Sequence, residues 1–190
     1  MRLFIAVELP DDVRRGLKEI QRDLRSLHES ARWVSPESIH ITLKFLGEVP
    51  NKRVDNIHEA LAGLSWKPFL IKVQGIGFFP GTRSPRVIWA GMEAPTMSGL
   101  AEELDARMDR IGFEKERRAF RPHITLARAR DTRMDSSLVK AAAKYADHQF
   151  GSFKVDRVSL FQSNLKPTGA VYNKLKEYLL KPRSHSSVRE

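Results

Sequence analysis

The tetrapeptide His-Ile-Thr-Leu occurs twice in the chain, as His40-Ile41-Thr42-Leu43 and as His123-Ile124-Thr125-Leu126. In an extended strand, side chains alternate faces at about 3.3 Å per residue, so each copy sets a histidine beside a threonine hydroxyl on one face. Isoleucine and leucine fall on the other face and anchor it in a core. The pattern therefore asks for two strands, each with one apolar face packed and one polar face free to line a cleft. Histidine both gives and takes protons near neutrality, so two converging copies would make an acid and base pair.

The punctuation around the motifs repeats as well. Leu3 to Val7 predicts a strand, and Val13, Leu17, Ile20, Leu24 and Leu27 then fall on one helical face, with Asp11 and Asp12 in the first turn. The turn Ser35 to Ser38 releases the chain into a strand from His40 to Phe45. Val54, Ile57, Leu61 and Leu64 predict a second helix, and Phe69, Ile71 and Val73 a strand that ends in a glycine-rich turn, Gly75 to Gly81. Arg86 to Met92 reads as a buried strand. A third helix runs from an N-cap at Thr96 through Leu100, Leu104, Met108 and Ile111 to Gly112. Arg121 to Arg128 is the second motif strand, Ser137 to Ala146 a weaker helix and Phe153 to Phe161 a strand, while Val171 to Leu180 fits either period. Helix, turn, motif strand, helix and strand thus recur in that order, with the two histidines 83 residues apart. That spacing is too long, and two copies too few, for a solenoid; the expectation is an internal duplication forming two lobes with the active site in the cleft between them. Residues 1–181 are expected to form a single two-lobed domain, and residues 182–190 a flexible basic tail.

Composition narrows the function. The 190 residues, 41% hydrophobic and 29% charged, suit a globular protein. Cysteine is absent, which excludes a disulfide framework, a thiolate nucleophile and a cysteine metal cluster, and agrees with a cytoplasmic location. The apolar opening Leu3 to Leu9 is interrupted by Glu8 and closed by Pro10, too short for a secretory or membrane-spanning segment. The net charge is +10 and the pI near 10.1, a footprint of polyanion binding through counterion release. The most arginine-dense stretch, Arg117, Arg118, Arg121, Arg128, Arg130 and Arg133, brackets the second motif, so charge and chemistry share an address.

The paired His-x-Thr motifs are joined by the opening Met1-Arg2-Leu3-Phe4-Ile5-Ala6, the stretch Ile39 to Glu48, Gly75-Ile76-Gly77-Phe78-Phe79-Pro80 and Val87-Ile88-Trp89-Ala90-Gly91. Together these resemble the RNA 2′,3′-cyclic phosphodiesterases, also called 2′,5′ RNA ligases, of the two-histidine phosphoesterase superfamily. The resemblance runs from Met1 to about Leu180. It implies a bilobed α+β fold, with two largely antiparallel sheets flanked by helices around a central cleft. It also implies metal-independent hydrolysis of RNA 2′,3′-cyclic phosphate ends, tRNA fragments among them, to 2′-phosphomonoesters by a monomer.

The residues make chemical sense of that reaction without the name. Opening a cyclic phosphodiester with water needs a base for the water, an acid on the leaving oxygen and donors for the phosphoryl oxygens. Two histidines and two threonines supply this inventory, and the residues alone leave open which histidine does which. The resemblance implies His123 as base, His40 as acid on the ribose 3′ oxygen, and Thr42, Thr125 and Arg128 as phosphate ligands. Strict alternation from His123 sends Arg128 to the opposite face, and a strand end or a bulge would bring it back. Phe45 stands at the same offset from His40 and is a candidate nucleobase contact, weighed against a core position. Phe78 and Phe79 offer another platform, with core the more natural reading. No carboxylate or third histidine stands at ligand spacing beside either motif, so no metal or other cofactor is expected. His28, His58, His148 and His185 are read as structural. The rival functions are a non-catalytic module that binds RNA ends and a cyclic phosphodiesterase for a small nucleotide such as ADP-ribose 1″,2″-cyclic phosphate.

Overall fold

The structure, a computed structural model, describes residues 1–27, 31–130, 133–134, 136–166 and 169–182. The strands are β1 (Arg2–Glu8), β2 (Ala31–Trp33), β3 (His40–Glu48), β4 (Phe69–Phe79), β5 (Val87–Glu93), β6 (Ile124–Ala129), β7 (Gln149–Val155), β8 (Arg157–Lys166) and β9 (Gly169–Leu179). The α-helices are α1 (Asp11–Leu27), α2 (Val54–Ala62), α3 (Met97–Arg110) and α4 (Ser136–Ala142). Four strands form one sheet in the order β3-β1-β8-β9, and five form the other in the order β2-β6-β5-β4-β7; every pairing is antiparallel. This is the expected α+β arrangement of two antiparallel sheets with helices. His28 and His185 and the tail 183–190 lie outside the described residues.

The two halves of the chain are interleaved across the sheets. β1 and β3 lie in the four-stranded sheet, but β4 crosses to pair with β5; reciprocally, β5 and β6 lie in the five-stranded sheet and β8 crosses to pair with β1. The helices exchange in the same way. α1 leaves β1 and packs against β7, while α3 leaves β5 and packs against β3. Each sheet therefore draws on both halves, and one apolar cluster holds Ile5, Ile41, Ile88 and Leu126 together.

Local sequence accounts for the elements. β1 is central, and its run Leu3-Phe4-Ile5-Ala6-Val7 is buried on both faces, as an uninterrupted apolar strand should be. Leu3, Ile5 and Val7 enter the large core, whereas Phe4 and Ala6 join a smaller cluster with Phe161 and Tyr172. On α1, Val13, Leu17, Ile20 and Leu24 are buried, with Asp11 and Asp12 at the positive end of the helix dipole. Each such side chain contributes about 1.5–3 kcal/mol of burial.

Several elements differ from the sequence expectation. β4 does not stop at Val73. Gly75, at φ 76°, supplies a bulge at the register shift between Val73 and Ile76, and the strand continues through Gly77 to Phe79. Gly77 is required there by the Trp89 ring, which would lie 2.2 Å from a Cβ at that position. Thr96 makes no side-chain cap on α3, although Gly112, at φ 83°, follows the helix as expected. The stretch from Phe153 to Phe161 breaks at Asp156 into β7 and β8, the weak helix ends in a 3-10 turn at Ala143–Tyr145, and residues 171–179 settle as strand. The short β2 carries no sequence signal of its own; it exists because β6 offers it an edge. No helix among the described residues is long and apolar enough to cross a membrane.

Candidate active site

His40 opens β3, one residue beyond a 3-10 turn at Pro36–Ser38. Its Nδ1–H donates to the Ser38 carbonyl at 2.8 Å. A carbonyl can only accept, so the neutral ring carries its proton on Nδ1 and offers Nε2 as an acceptor, which the Thr42 hydroxyl meets at 2.9 Å. His123 repeats the arrangement just before β6, with Nδ1 on the Arg121 carbonyl at 2.8 Å. Both motifs thus pin Nδ1 to the carbonyl two residues earlier and leave Nε2 as the working nitrogen.

The turn that orients His40 is held from the other side of the molecule. Arg14 of α1 donates from Nη1 to the Pro36 and Glu37 carbonyls at 3.1 and 3.0 Å and from Nη2 to the Leu9 carbonyl at 3.0 Å. The helix that follows β1 thereby sets the backbone atom that sets His40.

Aromatic rings surround the first histidine. Phe4 lies 4.8 Å from the His40 ring, Tyr172 stands edge-on at 5.1 Å and Phe161 is at 6.4 Å. Burial among them pushes the imidazole below its ordinary value of 6.5; the Ser38 hydrogen bond opposes that shift, and the charges of Arg14 and His123 add to it. The charge of His123 thus reaches His40, and β3 lies in contact with β6, the strand that follows His123. Beside His123, Phe79 stands edge-on at 5.1 Å and itself lies 5.1 Å from Trp89. Phe79 is a cleft residue, contrary to the core expectation, whereas Phe78 packs against the core.

Both motif strands carry a bulge at the same place, and this brings Arg128 and Phe45 to the site face. In β6, Thr125 pairs with Trp89 and Ala127 with Ile88, so Leu126 is the extra residue; Arg128 then faces Val87, in phase with Thr125 and Trp89. In β3, Thr42 pairs with Ala6 and Lys44 with Ile5, so Leu43 is extra; Phe45 then faces Phe4, in phase with Thr42 and Ala6. Burial follows the same phase, with Leu126 and Ala127 both buried before exposed Arg128, and Leu43 and Lys44 both buried before Phe45 at 58% exposure. Gln21 supports the second bulge by donating to the Leu126 carbonyl at 3.0 Å. Arg128 also acts across the cleft. Burial pushes the Tyr172 phenol up, and the Arg128 and Arg2 charges pull it back down.

The remaining described histidines stand apart from this pair. His58 on α2 hydrogen-bonds the Tyr178 hydroxyl, and His148 packs between Tyr145 and Phe150. Among the described residues, no three His, Asp or Glu side chains are grouped to hold a metal. Phe4, Tyr172 and Arg14 belong to the candidate site but were not singled out for it from sequence. Phe4 reads as one more apolar residue of a central strand, and nothing local marks a helix arginine that reaches a turn 22 residues away.

Comparison with known proteins identifies the family. The sequence profile of the LigT-like phosphoesterases matches twice, over residues 7–89 and 92–172, one copy in each half. An RNA 2′,3′-cyclic phosphodiesterase of Archaeoglobus fulgidus is 35% identical over 179 residues, covering 94% of this chain and 99% of that protein. Another, from Thermus thermophilus, is 36% identical over 95% of this chain and 91% of its own. The crystal structure of a Thermus thermophilus protein has a TM-score of 0.82 at 32% identity, covering 97% of this chain and 100% of that one. That of E. coli LigT complexed with 3′-AMP has a TM-score of 0.76 at 28% identity, covering 94% and 97%. With its duplicated halves, its paired histidines and these relatives, the chain belongs to the LigT-like phosphoesterase family.

Proposed function

We propose that this protein hydrolyses RNA 2′,3′-cyclic phosphate ends to 2′-phosphomonoesters without a metal. The observation that carries the reading is the matched pair of histidines, each with Nδ1 held by a backbone carbonyl at 2.8 Å. That fixes the tautomer in which Nε2 exchanges protons, one of the two requirements for in-line acid and base catalysis. His123 takes the proton of the attacking water through Nε2. The water oxygen bonds to phosphorus, the bond from phosphorus to the ribose 3′ oxygen breaks, and protonated His40 gives that oxygen its Nε2 proton. Thr42, Thr125 and Arg128 hold the phosphoryl oxygens, and Phe45 offers a face to a base.

The low affinity of buried His40 for a proton is compatible with its acid role. An anionic cyclic phosphate between the histidines adds a negative charge beside them and draws a proton onto His40 as it binds. The donor set favours metal-free chemistry, since no carboxylate joins either histidine to make a ligand group among the described residues. The same atoms give 2′,5′ ligation as a minor reaction when a 5′ hydroxyl replaces the attacking water: His123 takes its proton, its oxygen bonds to phosphorus, and the ribose 3′ oxygen leaves with the His40 proton.

The test is the product formed from a short RNA ending in a 2′,3′-cyclic phosphate, with chelator present, by the native protein and by His40→Ala and His123→Ala. A 2′-phosphate formed by the native protein and lost in both variants is expected. RNA bound but left intact by all three would favour an end-binding module, and turnover of ADP-ribose 1″,2″-cyclic phosphate alone would favour a small-nucleotide enzyme.

A further inference from the structure

Beyond Phe45 the end of β3 opens into a groove of about 520 Å³, lined on one side by Phe45, Leu46 and Gly47 and on the other by the segment from Phe113 to Arg118. A chain of tilted rings links the groove to the histidine site, for Phe4 lies 4.8 Å from His40 and 6.2 Å from Phe45. Its far wall carries Lys115, Arg117 and Arg118. Glu114 and Glu116 stand there too, but the pairs that link Arg117 to Glu114 at 2.8 Å and Lys115 to Asp109 at 3.5 Å are solvent-exposed and exchange readily for other anions. Arg118 has no hydrogen-bond or ionic partner among the described residues.

This wall is anchored from within the protein. Lys44, the residue before Phe45, is only 2% exposed. Its ammonium donates to the Glu114 carbonyl at 2.6 Å and to Asp105 Oδ1 at 2.5 Å, and the same carboxylate oxygen accepts the Glu116 backbone N–H at 3.1 Å. One buried cation thus fastens the start of the arginine-bearing segment to the strand that carries His40 and Phe45. A wall held in this way meets its ligand already ordered, which lowers the entropy lost on binding.

We propose that this groove is a subsite for the nucleotide upstream of the cyclic end, with Arg117 and Arg118 on the phosphodiester that joins it to the terminal nucleoside. The inference rests on the cyclic phosphodiesterase reading and deepens it: the substrate is a single-stranded oligonucleotide, and a mononucleotide uses only part of the site. An aromatic face followed by a guanidinium wall is the arrangement that binds single strands without reading sequence, since any base can stack and every linkage carries one negative charge.

The experiment compares kcat/KM for adenosine 2′,3′-cyclic phosphate with that for the adenosine dinucleotide bearing the same cyclic end, using the full chain and the Arg117→Ala/Arg118→Ala variant. The native protein should prefer the dinucleotide by about ten-fold or more, the scale of one or two charge-assisted contacts. In the variant that ratio should fall towards one, and the preference should lose its dependence on salt. An Arg117→Lys/Arg118→Lys variant should keep an intermediate preference. Equal kcat/KM for both substrates in the native protein, or a ratio unchanged in the alanine variant, would overturn the subsite. If neither substrate is turned over, the enzyme reading fails instead. The subsite is then decided by calorimetric binding of the 3′-phosphorylated dinucleotide against adenosine 3′-phosphate: preference for the dinucleotide, lost in the alanine variant, supports it, and equal affinity rejects it.

Discussion

Replacing Lys44 by methionine should destabilise the protein by about 3 kcal/mol, a figure that follows from what the ammonium leaves behind. The side chain is 2% exposed, and it meets Asp105 at 2.5 Å and the Glu114 carbonyl at 2.6 Å. Methionine fills the channel of the aliphatic stem, so the loss is electrostatic rather than a cavity. Removing one partner of a buried ion pair costs about 3–5 kcal/mol, because the other charge stays without compensation. Asp105 is 19% exposed and keeps the Glu116 N–H, which argues for the lower end of that range. For a chain of this size about 3 kcal/mol corresponds to a fall in Tm of about 6–12 °C. Calorimetry or urea unfolding reads it directly. The Lys44→Met/Asp105→Leu pair removes both charges and should return to within about 1.5 kcal/mol of the native protein, since an apolar pair replaces a desolvated one. A single variant within 2 °C of the native Tm, or a double variant as unstable as the sum of its parts, would refute this account of the β3 anchor.

Three further outcomes are expected. Arg14→Met should lower kcat/KM by about ten-fold or more by freeing the turn behind His40, and removal of its charge should move the His40 transition in the pH profile upward; Arg14→Lys restores the charge but not the fork, so a profile that shifts equally in both variants would exclude the electrostatic part. The folded state holds the His40 proton less tightly than the unfolded chain does, so stability should rise with pH through the window below 6.5 and fall as pH drops through it. His40→Asn should flatten that dependence in urea melts across pH 4.5–7.5, and a slope unchanged in the variant would contradict it. Gly77→Ala should drive the Trp89 ring, 2.2 Å from the new methyl, against Phe79 and so displace His123, cutting kcat by about ten-fold or more while KM changes little; native kcat would show that this stack does not set the second histidine.

Much of the architecture was legible because short-range rules govern it. The period of α1, the apolar run of β1 and the alternation within each His-Ile-Thr-Leu depend on neighbours a few residues away, and the structure follows them. The duplication was legible for the same reason, since it is a statement about order along the chain, and the family profile matches once in each half. Where prediction failed, a distant strand had decided. Gly75 and Gly77 look like turn residues until the left-handed backbone of Gly75, whose Cβ would lie 2.5 Å from the Ala146 carbonyl, and the Trp89 ring beside Gly77 demand positions without a side chain. β2 has no pattern to detect, and the split between β7 and β8 occurs where the chain leaves one sheet for the other.

The site divides along the same line. Two histidines with neighbouring hydroxyls follow from residue type and the two-residue period of a strand, so the sequence by itself determined the placing of His40 beside Thr42 and of His123 beside Thr125 along the chain. It could not determine the face of Arg128 or Phe45, because a single inserted residue inverts every side chain beyond it. Whether that insertion exists depends on registers with β5 and β1, set by chain segments tens of residues away. The interleaving of the halves, the reach of Arg14 to the Ser38 turn and the burial of Lys44 under the groove wall were likewise decided by tertiary structure, because each is a contact between segments whose separation along the chain gives no local signal.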